Sequence, residues 1–105
     1  MDPLQEVKDS IKKELEENPV LLYMKGTKES PQCGFSSQVV QILNTLNVAY
    51  TTRDVLEDGK LRRAIKEYSN WPTLPQLYIK GELVGGCDVV TEMYQNGELQ
   101  ALLKG

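Results

Sequence analysis

The sequence contains no histidine and only two cysteines, Cys33 and Cys87. The absence of histidine excludes a Cys–His nucleophilic pair and any metal site that uses an imidazole ligand. Two cysteines are too few for the disulfide framework that stabilises most small secreted scaffolds. We therefore expect an intracellular protein whose thiols are kept reduced.

Long apolar runs and excess positive charge are also missing. No run is long enough to span a membrane, and the N-terminus is acidic and amphipathic, which does not match a signal peptide. The net charge of −3 gives no support for non-specific nucleic-acid binding. The length of 105 residues suits one core, so we expect residues 1–105 to form a single domain.

Apolar periodicity predicts alternating helices and strands. Apolar residues three and four apart predict helices, and continuous or alternating apolar runs predict strands. The predicted elements are a helix with Asp2 as N-cap and Pro3 at its first position, a strand over 20–24, a helix over 35–46, a strand over 48–52, a helix around 60–68, a hairpin over 76–84 with its turn at Gly81-Glu82, and a helix with Asp88 as N-cap that is interrupted at 96–97. The order indicates an α/β fold, with one mixed sheet between helices.

Cys33 lies where the strand over 20–24 leads into the second helix. The free N–H groups and partial positive charge of a helix N-terminus favour a thiolate, the form that attacks disulfides and binds soft metals. A second cysteine three residues later would make a redox dithiol, but Ser36 occupies that position and cannot close a disulfide. The chemistry of Cys33 must therefore use sulfur, a metal or an electron acceptor from outside.

The segment Cys33-Gly34-Phe35-Ser36 resembles the active-site motif of monothiol glutaredoxins, a branch of the thioredoxin fold. Three further segments resemble the lysine loop, the cis-proline segment and the last glutathione-binding turn of that family, in the same order and at the same spacing: Met24–Thr27, Trp71–Gln76 and Gly85–Asp88. The resemblance implies a glutaredoxin-like thioredoxin fold, with a four-stranded mixed sheet flanked by helices and an extra N-terminal helix. One departure is Leu74, which stands where an aromatic residue is common.

The resemblance also implies site residues. Cys33 is the expected nucleophile and the protein's ligand to a [2Fe–2S] cluster that is shared with a dimeric partner. Arg62 is expected to meet the glycine carboxylate of glutathione. Lys25 is expected either to bind the same carboxylate or to polarise the sulfur on the cluster side. Pro75, in cis, is expected to expose the backbone of the two residues before it for strand-like pairing with glutathione. The remaining expected glutathione contacts are Thr73, Leu74, Cys87 and Asp88.

Several residues keep two interpretations at this point. Phe35 either covers the site or belongs to the core, and Trp71 is either a core or a site residue. Lys66 shares a helix face with Arg62 and is either a binder or a solvated charge. Asp88 is a plain N-cap, or its N–H and that of Cys87 receive the γ-glutamyl carboxylate while its carboxylate meets the α-amino group. Cys87 is also a candidate second redox thiol.

Two functions from different classes follow from the resemblance. The first is an iron–sulfur carrier, a homodimer bridged by a [2Fe–2S] cluster that delivers the cluster to acceptor apoproteins and pairs with BolA-like proteins. The second is a glutathione-dependent thiol–disulfide oxidoreductase that acts through Cys33 alone. An inert binding module is the third alternative. The expected compartment is the cytoplasm of a bacterial-type cell, or, for a mature form, a plastid or mitochondrion.

Overall fold

The computed structural model describes residues 2–104, which form helices on both faces of one sheet. In chain order the described elements are α1 (Gln5–Glu17), β1 (Val20–Met24), α2 (Gly34–Thr45), β2 (Thr51–Asp54), α3 (Gly59–Ser69), β3 (Gln76–Ile79), β4 (Glu82–Gly85), α4 (Cys87–Asn96) and α5 (Glu98–Lys104). None of these helices combines the length and apolarity that crossing a bilayer would need.

The four strands are ordered β2-β1-β3-β4. β1 runs parallel to β2 and antiparallel to β3, and β3 is antiparallel to β4, so the predicted mixed sheet and its hairpin are confirmed. The hairpin turn lies one residue earlier than predicted. Lys80 and Gly81 have φ values of 53° and 81°, the two left-handed residues of a tight hairpin turn.

Each face of the sheet carries its own core, because side chains alternate along β1. Leu22 and Met24 pack in one cluster with residues of α2, α4 and α5. Leu21 and Tyr23 face the other way and pack with residues of α1 and α3. The continuous apolar run of β1 therefore reflects a strand covered on both sides, as predicted.

The predicted start of the first helix is wrong by a few residues. The helix begins at Gln5 with Leu4 as N-cap. Asp2 acts one turn earlier, because its Oδ1 accepts the N–H of Leu4 at 2.8 Å and its backbone carbonyl accepts the N–H of Gln5 at 3.1 Å. Asp2 and Pro3 therefore shape a turn that leads into α1.

Two further boundaries differ from the prediction. β2 begins at Thr51, since the carbonyl of Tyr50 accepts the ammonium of Lys28 and Tyr50 has no partner in the β1 ladder. The N-cap of α4 is Gly86, so the assignment of Asp88 as a plain N-cap is wrong. Asp88 is instead the second residue of that helix, in its first turn.

Candidate functional site

A cavity of about 450 Å³ opens beside Cys33, where β1 and β4 end and β3 begins. Segments that are distant in sequence form its walls. The cavity is lined by all of the residues that the sequence nominated as a site: Lys25, Cys33, Arg62, Thr73, Leu74, Pro75, Cys87 and Asp88. The fold thus brings these residues to one place.

Cys33 is the N-cap residue of α2, with an extended backbone (φ −149°, ψ 137°) and a half-buried side chain. Its thiol forms no close capping hydrogen bond, but the N–H groups of Ser36 and Phe35 face the sulfur. These N–H groups, the one of Ser36 foremost, lower the pKa of the Cys33 thiol against the opposing effect of burial, and the charge of Lys25 adds to the lowering. The site therefore favours a thiolate.

Ser36 has a role that the sequence did not reveal. Its side chain is fully buried, and its Oγ accepts the backbone N–H of Lys25 at 3.2 Å. The Ser36 hydroxyl also contributes to lowering the pKa of Cys33. The position where a dithiol protein would carry its second cysteine thus joins the end of β1 to the first turn of α2.

The loop after β1 folds back on itself and fixes the backbone of Lys25. The Lys25 carbonyl accepts the N–H of Gln32 at 2.9 Å, and the Gly26 N–H donates to Oδ1 of Asp54 at 2.9 Å. Gly26 has a φ of +91°, and a Cβ there would lie 2.6 Å from backbone atoms of Gln32 and Ser30. Only glycine fits at this position.

The same loop is attached to the edge of the sheet by Lys28. Its Nζ donates to the carbonyl of Tyr50 at 2.9 Å and lies 4.3 Å from the centroid of the Tyr50 ring. A lysine in this position gains a hydrogen bond and a cation–π contact. These contacts connect the loop before Cys33 to the residue that precedes β2.

One wall of the cavity is the segment from Trp71 to Pro75. The Leu74-Pro75 peptide bond is cis, which confirms the sequence prediction. Leu74 and Pro75 are buried, while Thr73 is exposed. Within residues 2–104 the backbone N–H and carbonyl of Leu74 have no hydrogen-bond partner, so this short stretch offers a free donor and a free acceptor at the cavity.

The glycine pair before α4 allows this helix to approach the cis-proline segment. A Cβ on Gly86 would lie 3.3 Å from the carbonyl oxygen of Pro75 and 3.6 Å from Nε1 of Trp71. The first backbone bond of the helix joins the N–H of Val90 to the carbonyl of Gly86 at 3.0 Å. The preceding N–H groups of α4 therefore have no acceptor in the helix and stand at the cavity wall, where they favour an anion.

Positive charge dominates the cavity. Arg62 and Lys66 lie one turn apart on α3, both half-buried, and both line the cavity together with Lys25. Within residues 2–104 none of these three cations has a carboxylate within ion-pair distance. Asp88 supplies the opposite charge on the α4 side. This arrangement suits a ligand with carboxylates at its ends and an amine beside one of them.

The structure also shows where residues with two interpretations lie. Phe35 is 61% exposed at the cavity rim, so it is not a core residue. Trp71 and Lys66 line the cavity. Sequence reasoning did not nominate Pro72, Gly86 or Val89 as lining residues, although the glycine pair had indicated a close backbone approach.

The two cysteines are both free thiols. Cys87 is buried, with its Sγ 3.9 Å from Oγ1 of Thr91, and Cys33 is half-buried. Across the part of the chain that the structure describes, no group of three or more cysteine, aspartate or glutamate side chains is arranged to hold a metal ion. A metal centre at Cys33 would need ligands from other molecules.

Comparison with known proteins agrees with this geometry. The glutaredoxin family model matches residues 20–84. A monothiol glutaredoxin of Synechocystis, named ycf64-like, is 61% identical over 83% of this chain and 81% of its own length. A probable monothiol glutaredoxin 2 of Rickettsia typhi is 58% identical over 96% of this chain and 87% of its own length. The solution structure of reduced poplar apo GrxS14 matches with a TM-score of 0.86 and 49% identity, covering 98% of this chain and 95% of that one.

Proposed function

This chain belongs to the monothiol branch of the glutaredoxin family, and we propose that its cavity binds glutathione and uses it to hold a transferable [2Fe–2S] cluster. The observation that carries the proposal is the position of a single activated thiol, Cys33, inside a cavity with free cations and free backbone groups. Glutathione would occupy the cavity and would supply the second thiol that the motif of Cys33 lacks.

Glutathione matches the charges around the cavity. Its glycine carboxylate would meet Lys25 and Arg62, which are not ion-paired within residues 2–104. Its γ-glutamyl carboxylate would take the free N–H groups at the start of α4, and its amine would face Asp88. The central cysteine would then pair its backbone with the free groups of Leu74, alongside Pro75 and Thr73.

The donor set fits an iron–sulfur cluster that is shared between chains. A [2Fe–2S] cluster takes four thiolates, and this chain presents Cys33 as one activated thiolate. Two chains would supply two ligands, and two bound glutathione thiolates would supply the others. The cluster would thus bridge a homodimer with few direct protein contacts. Such a cluster is cargo that can be passed on.

Family membership further supports acceptor apoproteins and BolA-like proteins as partners. The net charge of −3 gives no support for nucleic acid as a partner. Relatives occur in cyanobacteria and rickettsiae. These sources agree with a bacterial-type cytoplasm or with an organelle of bacterial descent as the compartment of this chain.

The alternative function is a monothiol oxidoreductase, and the lowered pKa of Cys33 favours it equally. The Cys33 thiolate would attack the glutathione sulfur of a mixed disulfide, and the substrate thiolate would leave. A second glutathione thiolate would then attack that sulfur, releasing glutathione disulfide and restoring the Cys33 thiolate. This cycle needs no second protein cysteine, so Ser36 is compatible with it.

Anaerobic reconstitution separates the two functions. The protein is incubated with iron, sulfide and glutathione, and its visible spectrum is recorded together with its elution volume in size exclusion. A glutathione-dependent [2Fe–2S] spectrum in a dimer-sized peak is expected, and a parallel incubation without glutathione serves as the control. A colourless monomer would contradict the carrier function and leave thiol chemistry on glutathionylated proteins as the function to assay.

A further inference from the structure

Gln76, the first residue of β3, is a fully buried polar side chain next to the cavity that the chemistry above does not use. Its Nε2 donates to the carbonyl of Trp71 at 3.0 Å and to that of Thr73 at 3.2 Å. Its Oε1 accepts the hydroxyl of Tyr78 at 3.0 Å. Both hydrogens of the Gln76 amide therefore donate to backbone carbonyls of the cavity wall.

These bonds decide which way one peptide group of the wall points. The Thr73-Leu74 peptide bond is trans, so its carbonyl and its N–H point in opposite directions. Gln76 turns the Thr73 carbonyl into the protein interior. The Leu74 N–H must then point outward, and it has no acceptor within residues 2–104.

We propose that Gln76 is a positioning residue that holds the Leu74 N–H toward the cavity as a donor to the backbone of bound glutathione. This assignment rests on the proposed function, since it names the group that Gln76 presents to the ligand. A glutamine suits the role because one planar amide gives two donors to two carbonyls of the same segment. A carboxylate in its place would be an acceptor facing two acceptors, and a methionine would leave both carbonyls unpaired.

The Tyr78 contact provides a matched control. Tyr78→Phe removes the hydroxyl that Oε1 accepts and leaves both Nε2 bonds in place. Gln76→Met removes the two Nε2 bonds and keeps the length of the side chain. A general loosening of this buried pair would affect both variants, whereas the proposed role predicts that only Gln76→Met changes the Leu74 N–H.

The test uses ¹⁵N NMR and calorimetry on the full chain, with reduced glutathione as the probe. In the wild-type protein the Leu74 amide resonance is expected to move downfield on saturation with glutathione. Gln76→Met is expected to lose most of that movement and to bind glutathione about tenfold more weakly, the cost of one hydrogen bond. Tyr78→Phe should retain both the movement and the affinity.

The outcomes separate this assignment from the function it rests on. Glutathione binding without any response of the wild-type Leu74 amide would overturn the role of Gln76 while leaving the proposed function intact. This outcome is measured on the wild-type protein, so it does not depend on whether a variant folds. A Gln76→Met protein with wild-type affinity and Leu74 response would overturn it as well. No binding of glutathione to the wild-type protein would overturn the proposed function and this assignment together.

Discussion

The backbone N–H of Lys25 donates to the buried Oγ of Ser36 at 3.2 Å, across eleven positions of sequence. This bond connects the residue that follows β1 with the helix turn that activates Cys33. Ser36 therefore does more than remove a second thiol from the motif. It fixes the lysine loop relative to the helix whose N–H groups face the sulfur.

The reactivity of Cys33 should depend on pH in a way that reports its lowered pKa. Only the thiolate is alkylated, so the rate with iodoacetamide rises with pH and levels off above the pKa. In a Cys87→Ser background, the midpoint is expected to lie below that of free cysteine measured alongside it. Ser36→Ala should move the midpoint upward, since it removes one of the groups that lower this pKa.

The control for that experiment is Ser37→Ala, which changes the next serine of α2, whose Oγ accepts a hydrogen bond from the side chain of Gln41. Its midpoint should match that of the background protein. A background midpoint at or above that of free cysteine would show that the helix N-terminus does not activate Cys33.

Arg62→Ala should weaken glutathione binding by about 10- to 100-fold, the cost of a charge-assisted hydrogen bond. The domain should stay folded, because Arg62 lines the cavity at the surface of α3 and no ion pair within residues 2–104 depends on it. Calorimetry measures the affinity. Arg63→Ala is the matched control, since Arg63 is exposed and does not line the cavity.

A shortened ligand sharpens the assignment of Arg62. γ-Glutamylcysteine lacks the glycine carboxylate that Arg62 is proposed to bind. Arg62→Ala should therefore weaken its binding far less than that of glutathione. Equal losses for both ligands would place Arg62 on another part of glutathione.

The two cysteines should respond differently to substitution by serine. Cys33→Ser is expected to abolish the visible spectrum of the reconstituted cluster, because the hydroxyl is a poor substitute for a soft thiolate ligand. Cys87→Ser should leave assembly largely intact. The Cys87 thiol is buried against Thr91, and the four proposed cluster ligands are the Cys33 thiolates of two chains and the thiolates of two glutathiones. Loss of colour in Cys87→Ser would make Cys87 a ligand or a structural partner of the cluster.

Two glycines near the site should differ sharply in their tolerance of alanine. Gly26→Ala places a Cβ 2.6 Å from backbone atoms and requires a left-handed φ, so it should cost about 1–3 kcal/mol and lower Tm by roughly 5–15 °C. Gly34→Ala meets nothing within 4 Å and should leave Tm nearly unchanged. Thermal unfolding followed by circular dichroism compares the two, and equal Tm values would contradict the close approach at Gly26.

Much of the fold could be predicted because local patterns and tertiary packing agree. The apolar run of β1 is continuous since both faces of that strand are covered, and the mixed sheet follows from the order of the elements. The predicted N-caps Asp2 and Asp88 were wrong. A short acidic side chain is favourable at an N-cap, but also in a turn before a helix, where Asp2 lies, and in the first turn of a helix, where Asp88 lies.

For the site, the sequence predicted which residues line the cavity better than it predicted the buried contacts that support them. Motif resemblance nominated most of the lining residues, and the fold places those residues around one cavity. The buried positions of Ser36 and Gln76 could not be inferred from the sequence. The partner of Ser36 lies eleven positions away, on the residue after β1. The partners of Gln76 lie only two to five positions away, but the irregular backbone of that segment brings them within reach, and no helix or strand period predicts its shape.

The walls of the cavity come from parts of the chain between Lys25 and Val89 that only the folded state brings together. A ligand that touches all of them binds the native state and not the unfolded one, and a hundredfold excess over Kd adds about 2.7 kcal/mol to the free energy of unfolding. Under the proposed function, the lifetime of this protein against proteolysis should therefore follow the concentration of glutathione. Depletion of glutathione would then remove this stabilisation together with the cluster that glutathione helps to hold.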